Sequence, residues 1–195
     1  MRIIDITRTV QDAPIYPGSS PVIIERTSDM QKGAHANTSM ITAGSHMGTH
    51  ADAISHFIKE SKTGIDKMEL LYYYGECCVI TVPDNTMITP EMLRDRIDYC
   101  KRLVIHGNGY SYLTKEAAQY IVDTNILTIV TDAMSIAPPG NEVEIHALIL
   151  GAEIAVVENV ILDGVEDGNY ILSAFPIKYG DCDGAPVRAV LITRD

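Results

Sequence analysis

Short apolar runs broken by Gly, Pro and Asp set the pattern of the first part of the chain. RIIDIT (2–7) and PVIIERT (21–27) read as short strands on either side of the turn-rich DAPIYPGSSP, where Pro and Gly stop regular structure. TSMITA (38–43) reads as a third strand, ending at Gly44. Further on, ECCVITV (76–82) has the apolar density of a buried strand, and RLVIHG (102–107), ILTIVTD (126–132), AEIAVVE (152–158) and PVRAVLIT (186–193) also read as strands. Helices fall between them. Thr89 and Pro90 suit the cap and first turn of a helix through MLRDRIDYC, Thr114 precedes KEAAQYIVDT, and HALILG (146–151) supplies a helical turn or two ended by Gly151. Alternating strands and helices predict an α/β fold with a partly parallel sheet and covering helices.

Composition narrows the class. A chain of 195 residues, 46% hydrophobic and 21% charged with 9 Pro, is most simply one globular domain spanning 1–195. A formal charge of −11 argues against a nucleic-acid partner, which needs clustered Lys and Arg. MRIIDITRTV turns polar too soon for a signal peptide, and no apolar run approaches the roughly 20 residues that span a bilayer, so a soluble cytoplasmic protein is expected. Four cysteines, Cys77, Cys78, Cys100 and Cys182, do not resemble a disulfide framework and are expected as reduced core thiols.

The candidate chemistry lies in SHMGTHADAISHF (45–57), where His46, His50, Asp52 and His56 are spaced 4, 2 and 4 apart. On one helix, at about 100° per residue, they would not share a face. On one extended strand they would share a face, yet the ends would lie about 33 Å apart. The chain must bend. Gly48-Thr49 is the natural bend point, and Asp52 is suited to cap a helix through AISHFIKE that would carry His56 round. Two imidazoles and a carboxylate form a common shell for a catalytic divalent ion. Further donors are His146, at the start of an apolar helix, and Glu158, at the end of an apolar strand; His106 and His35 have weaker claims. No phosphate loop, Gly-x-Ser-x-Gly elbow or His-Glu-x-x-His pair is present, and GNGYSYL reads as a turn.

HMGTHADAISHF resembles the His-x-Gly-Thr-His-x-Asp-x-Pro-x-His-Phe signature of the cyclase-type metal-dependent hydrolases, a group that includes bacterial kynurenine formamidase and isatin hydrolase. Ile54 stands where that signature has Pro, which would have fixed the local backbone. IDITRTVQDAPIYPGSSPV, TDAMSIAP with HALILGAEIAVVENV, and FPIKYGDCDGAPVRAVLI resemble three other segments of the family. The resemblance implies a swivelling β/β/α domain that forms dimers or tetramers. It implies His46, His50 and Asp52 as ligands of one ion, with His56, His146 and Glu158 holding a second and Asp52 able to bridge. In single-metal relatives the His56 position serves catalysis instead.

The activity so implied is hydrolysis of a small amide, either an aryl formamide such as N-formylkynurenine or a cyclic amide or imide. It would use water activated at Zn²⁺ or Mn²⁺, with His56 or Glu158 moving the proton. Related readings are a lactone hydrolase or cyclase, or a metal-binding protein without turnover. A structural zinc site prefers Cys, and no cysteine lies near the motif. Without Trp and with only 2 Phe, an aromatic substrate would pack mainly on Tyr or aliphatic groups; Tyr16 and Tyr72 to Tyr74 are the candidates.

Overall fold

The computed structural model describes residues 1–193. In chain order the elements are β1 (Ile3–Asp5), β2 (Ile23–Ser28), β3 (Thr38–Thr42), β4 (His50–Asp52), β5 (Tyr74–Thr81), β6 (Met87–Ile88), α1 (Pro90–Leu93), β7 (Arg102–His106), β8 (Tyr112–Leu113), α2 (Lys115–Val122), β9 (Thr128–Thr131), α3 (Glu142–Gly151), β10 (Ala155–Glu158), β11 (Gly168–Ser173), β12 (Gly184–Pro186) and β13 (Val190–Ile192). Nine of the strands form one mixed sheet, ordered β1-β13-β11-β5-β7-β9-β10-β4-β12. Its centre, β5, β7, β9 and β10, is parallel, and the flanks are antiparallel.

Strand alternation sorts the apolar side chains of this centre into two cores. Leu103, Ile105, Ile129 and Val156 pack on one face against Ala118 and Ile121 of α2 and Ile145 and Ile149 of α3. Val79, Val104, Val130 and Val157 pack on the other with Leu172 and Leu191. The Thr114 hydroxyl accepts from Ala117 N at 3.1 Å and so caps α2. The helix expected through MLRDRIDYC stops after Leu93: Arg94 turns extended (ψ 141°) and Asp95 takes a left-handed conformation (φ 63°), and no α-helix continues through either. Helix α3 starts at Glu142, so His146 sits inside it rather than at its start.

β12 and β13 are separated by three residues, yet lie seven strand positions apart in the sheet. A flat sheet would hold them about 34 Å apart, whereas the connecting chain reaches about 14 Å at most. The sheet therefore curls until its edges approach, and a bridge between Pro176 and Val187 helps to close the gap. PVRAVLIT, expected as one strand, is divided by this turn. β11 was not apparent in the sequence: GNYILS is short, and its place is set by pairing with β5 and β13.

The cysteine expectation is corrected. Alternation along β5 sends Cys77 and Cys78 to opposite cores, and Cys78 meets Cys100 with Cα atoms 5.7 Å apart and forms a disulfide. Cys77 and Cys182 are free. β2 and β3 form a separate two-stranded arm whose Ile23, Ile24, Met40 and Ile41 are exposed. Among the described residues, no helix is long and apolar enough to cross a membrane.

Candidate active site

The two-residue period of β4 puts His50 and Asp52 on one face. Antiparallel pairing sets Glu158 of β10 directly opposite His50, and Gly184 of β12 directly opposite Asp52. Gly48, at φ +69°, turns the preceding chain so that His46 comes back over the strand, with its Nδ1 2.9 Å from Asp52 Oδ1. A side chain at Gly184 would occupy the space of this ring: an added Cβ would lie 2.6 Å from His46 Cε1. Asp52 does not cap a helix. Pairing on both sides carries the strand through it, Ala53 N donates to Asp183 O at 2.8 Å, and only a single 3-10 turn, Ile54–His56, comes after.

Three histidines point at two buried carboxylates. His50 Nε2 lies 3.5 Å from Asp52 Oδ1 and 3.5 Å from Glu158 Oε2. His146 Nε2 lies 3.1 Å from Glu158 Oε1 and 3.6 Å from Asp52 Oδ2. The other nitrogen of each ring is held by an oxygen: His50 Nδ1 by Gly48 O at 2.9 Å, His146 Nδ1 by Glu142 O at 2.9 Å, and His46 Nε2 by Asp183 Oδ2 at 3.1 Å. Such bonds fix ring orientation and tautomer in metal sites. Among the described residues Asp52 Oδ2 is buried without a hydrogen-bond partner, and Glu158 Oε1 is anchored by Ile136 N at 2.8 Å.

The donors form two groups that share Asp52: His46 with His50 and Asp52, and Asp52 with His146 and Glu158. A third combines His46, His56 and Asp183. His56 thus falls in a different donor group from His146 and Glu158, although its ring centre is 6.5 Å from that of His146; it stacks on His46 with ring centres 3.9 Å apart, and its Nδ1 is 3.6 Å from Asp183 Oδ2. Asp183 was not singled out from the sequence, although the Asp183-Gly184 pair lies inside the terminal segment that carries the family resemblance. His35 is exposed in the β2–β3 connection, and His106 turns to Asn108 and Asp132; neither joins a donor group.

Charge pairing outweighs burial here. Burial disfavours the imidazolium of His46, but the Asp52 hydrogen bond and the Asp52 and Asp183 charges raise its pKa to about 9. Burial likewise opposes His146, and the Glu158 bond and charge raise it to about 9. Burial pushes the Asp52 carboxyl up, but His46, His50 and His146 hold it well below the usual carboxylate range. His56 goes the other way, lowered chiefly by burial. Buried carboxylates that need positive charge to balance them, one with an oxygen left unpartnered among the described residues and both ringed by histidines, have the donor chemistry of a divalent-metal site.

The donors open onto a cavity of about 240 Å³, walled also by Tyr16, Ser19, Phe57, Met134, Ser135 and Glu142. Phe57 lies against His146 with ring centres 4.4 Å apart. The Tyr16 hydroxyl donates to Glu142 Oε1 at 2.6 Å, a bond that helps push its pKa up to about 12. Tyr73 is instead core, and Tyr74 stacks on Phe175 away from the cavity.

The family model described as "Putative cyclase" matches residues 4–138. The chain belongs to this cyclase family. It is 31% identical, over 96% of each chain, to the kynurenine formamidase of Bacillus thuringiensis (strain Al Hakam). Its fold is that of a solved structure described as a potential metal-dependent hydrolase with cyclase activity, with a TM-score of 0.85, 22% identity and coverage of 100% of this chain and 98% of that one. Isatin hydrolase A from Labrenzia aggregata is similarly close, with a TM-score of 0.84, 22% identity and coverage of 99% and 94%. In this cyclase-family chain the curled mixed sheet carries the donors on β4 and the turn before it, on β10 and on the helix that precedes β10.

Proposed function

We propose that this cyclase-family protein is a metal-dependent hydrolase that cleaves the C–N bond of a small aryl formamide or cyclic amide. The observation that carries this reading is the three-histidine arrangement: one nitrogen of each ring faces Asp52 or Glu158 while the other is held by an oxygen. His46, His50 and Asp52 would hold one divalent ion, Zn²⁺ or Mn²⁺, and Asp52, His146 and Glu158 a second, with Asp52 shared. When bound, such ions lower the pKa of a coordinated water to about 7 and polarise a carbonyl oxygen.

The chain's own groups complete the chemistry. His56, on the cavity wall, has Nδ1 toward Asp183, which leaves Nε2 to take a proton from the attacking water and return one to the departing nitrogen. Ser45 Oγ donates to Asp183 Oδ1 at 2.8 Å and so fixes the carboxylate that steadies both His46 and His56. Tyr16, Phe57 and Met134 supply apolar surface for an aryl ring. Water adds across the amide: a C–O bond forms, the C–N bond breaks, and the products are an amine with formate, or a ring-opened amino acid from a cyclic substrate.

The exposed apolar arm of β2 and β3 supports a homo-oligomer, a dimer or tetramer, assembled through that arm. Hydrolysis of formanilide, N-formylkynurenine and isatin by zinc- or manganese-restored protein tests the function. Turnover that disappears on chelation and returns with metal is expected; metal-loaded protein inert toward all three would overturn the reading.

A further inference from the structure

The cavity wall carries a charge that the donor set does not use. Glu142, the first residue of α3, lines the cavity and is half-buried. Its carboxylate is satisfied by neutral donors only, the Tyr16 hydroxyl at Oε1 (2.6 Å) and Gly140 N at Oε2 (2.7 Å). Among the described residues no Lys, Arg or His side chain forms an ion pair with it, His146 acting on it only at longer range, and no Lys or Arg lines the cavity. The amino end of a helix ordinarily attracts anions. Here Glu142 itself fills that position and reverses the sign of charge presented to the cavity.

A ligand that places its ring against Tyr16 and Phe57 therefore brings its substituents near a fixed negative charge. An ammonium group placed beside Glu142 finds a partner; a carboxylate placed there finds no Lys or Arg on the cavity wall, the positive charge of His46 and His146 being turned toward Asp52 and Glu158, and meets repulsion. Resting on the amide-hydrolase reading above, we infer that Glu142 is a specificity-determining residue that selects aryl amides with cationic or neutral ring substituents and disfavours those bearing a carboxylate. N-formylkynurenine, which carries both charges, would have its ammonium recognised and its carboxylate left without a partner.

The test compares kcat/KM for 4-(aminomethyl)formanilide, 4-ethylformanilide and 4-(carboxymethyl)formanilide on the zinc-restored protein. The methylene groups keep the leaving anilines electronically alike, and the para position keeps the charges away from the formyl carbon. A partly exposed charge contact shifts affinity by a few-fold; attraction at one substrate and repulsion at the other compound to roughly tenfold between cation and anion. That ratio should shrink with added salt and fall close to one in Glu142→Gln. A carboxymethyl substrate cleaved as fast as the aminomethyl one, or a ratio that survives Glu142→Gln, overturns the inference while leaving the hydrolase reading intact. If none of the three is cleaved, the formamide reading fails separately, and binding decides the charge preference. 4-Methylbenzylammonium should then bind the zinc-loaded protein more tightly than 4-methylbenzyl alcohol, with the difference lost in Glu142→Gln; equal binding overturns the inference.

Discussion

Gly184→Ala adds one methyl group at the point where β12 passes under the His46 ring. The new Cβ would sit 2.6 Å from His46 Cε1, 3.1 Å from His46 Nδ1 and 2.9 Å from Ala51 O. Carbon atoms in contact lie about 3.5 Å apart or more, so something must move by nearly 1 Å. Ala51 cannot, because β4 is paired on both sides, with β10 and with β12 itself. The His46 ring gives way, and with it the Nδ1 that faces Asp52. Overpacking of this kind costs about 1–3 kcal/mol; falling on the metal-bound state, that is roughly a 5- to 150-fold weaker metal affinity. The assay is zinc competition against a chromophoric chelator, with thermal unfolding of the metal-free protein as the stability control. Gly180→Ala, where nothing lies within 4 Å of the added Cβ, should bind zinc normally. Wild-type zinc affinity in Gly184→Ala would refute the placement of His46 as a ligand wedged against β12.

Asp183→Asn should weaken metal binding by about 10–100-fold, the usual effect of removing a carboxylate that holds a ligating histidine, and kcat should fall further because His56 loses its orienting partner; affinity and pH–rate profiles measure both. In metal-free protein His46 and His146, each raised from 6.5 to about 9, contribute stability that is full below pH 6.5 and lost as pH rises through 9. Metal binding must displace those protons, so affinity should rise over the same window with proton release at pH 7, read by calorimetry in buffers of different ionisation enthalpy. Reducing Cys78–Cys100, which closes a 22-residue separation, should cost about 3 kcal/mol, lowering Tm by roughly 6–12 °C in a chain of this size; an unchanged Tm in dithiothreitol would contradict this.

Much of the centre of the fold is legible because parallel strands buried on both faces must be apolar: ECCVITV, RLVIHG and ILTIVTD announce β5, β7 and β9. The bend at Gly48 is equally legible, since four even-spaced donors cannot meet on a straight element. The chain beyond the bend is harder to read. Asp52 has the chemistry of a helix cap, and only its pairing with β10 and β12 makes it a strand residue. Long-range pairing also hides β11, the Cys78–Cys100 contact and the curl that splits PVRAVLIT, because none of these has a local pattern. Asp183 and Glu142 are acidic residues like many others in an acidic chain; their importance arises from where β12 and the first turn of α3 place them.

The proposed metal donation by His46, His50, Asp52, His146 and Glu158 underlies both the proposed chemistry and the roles proposed for the residues around them. Protein equilibrated with zinc, dialysed free of loose ions and analysed by mass spectrometry for metal should retain about two ions per chain, as a shared-carboxylate site requires, and Asp52→Ala, which removes the shared donor, should retain fewer while chelation lowers the Tm of the wild type. Dialysed wild-type protein that holds no divalent metal, with a Tm indifferent to chelator, would contradict it.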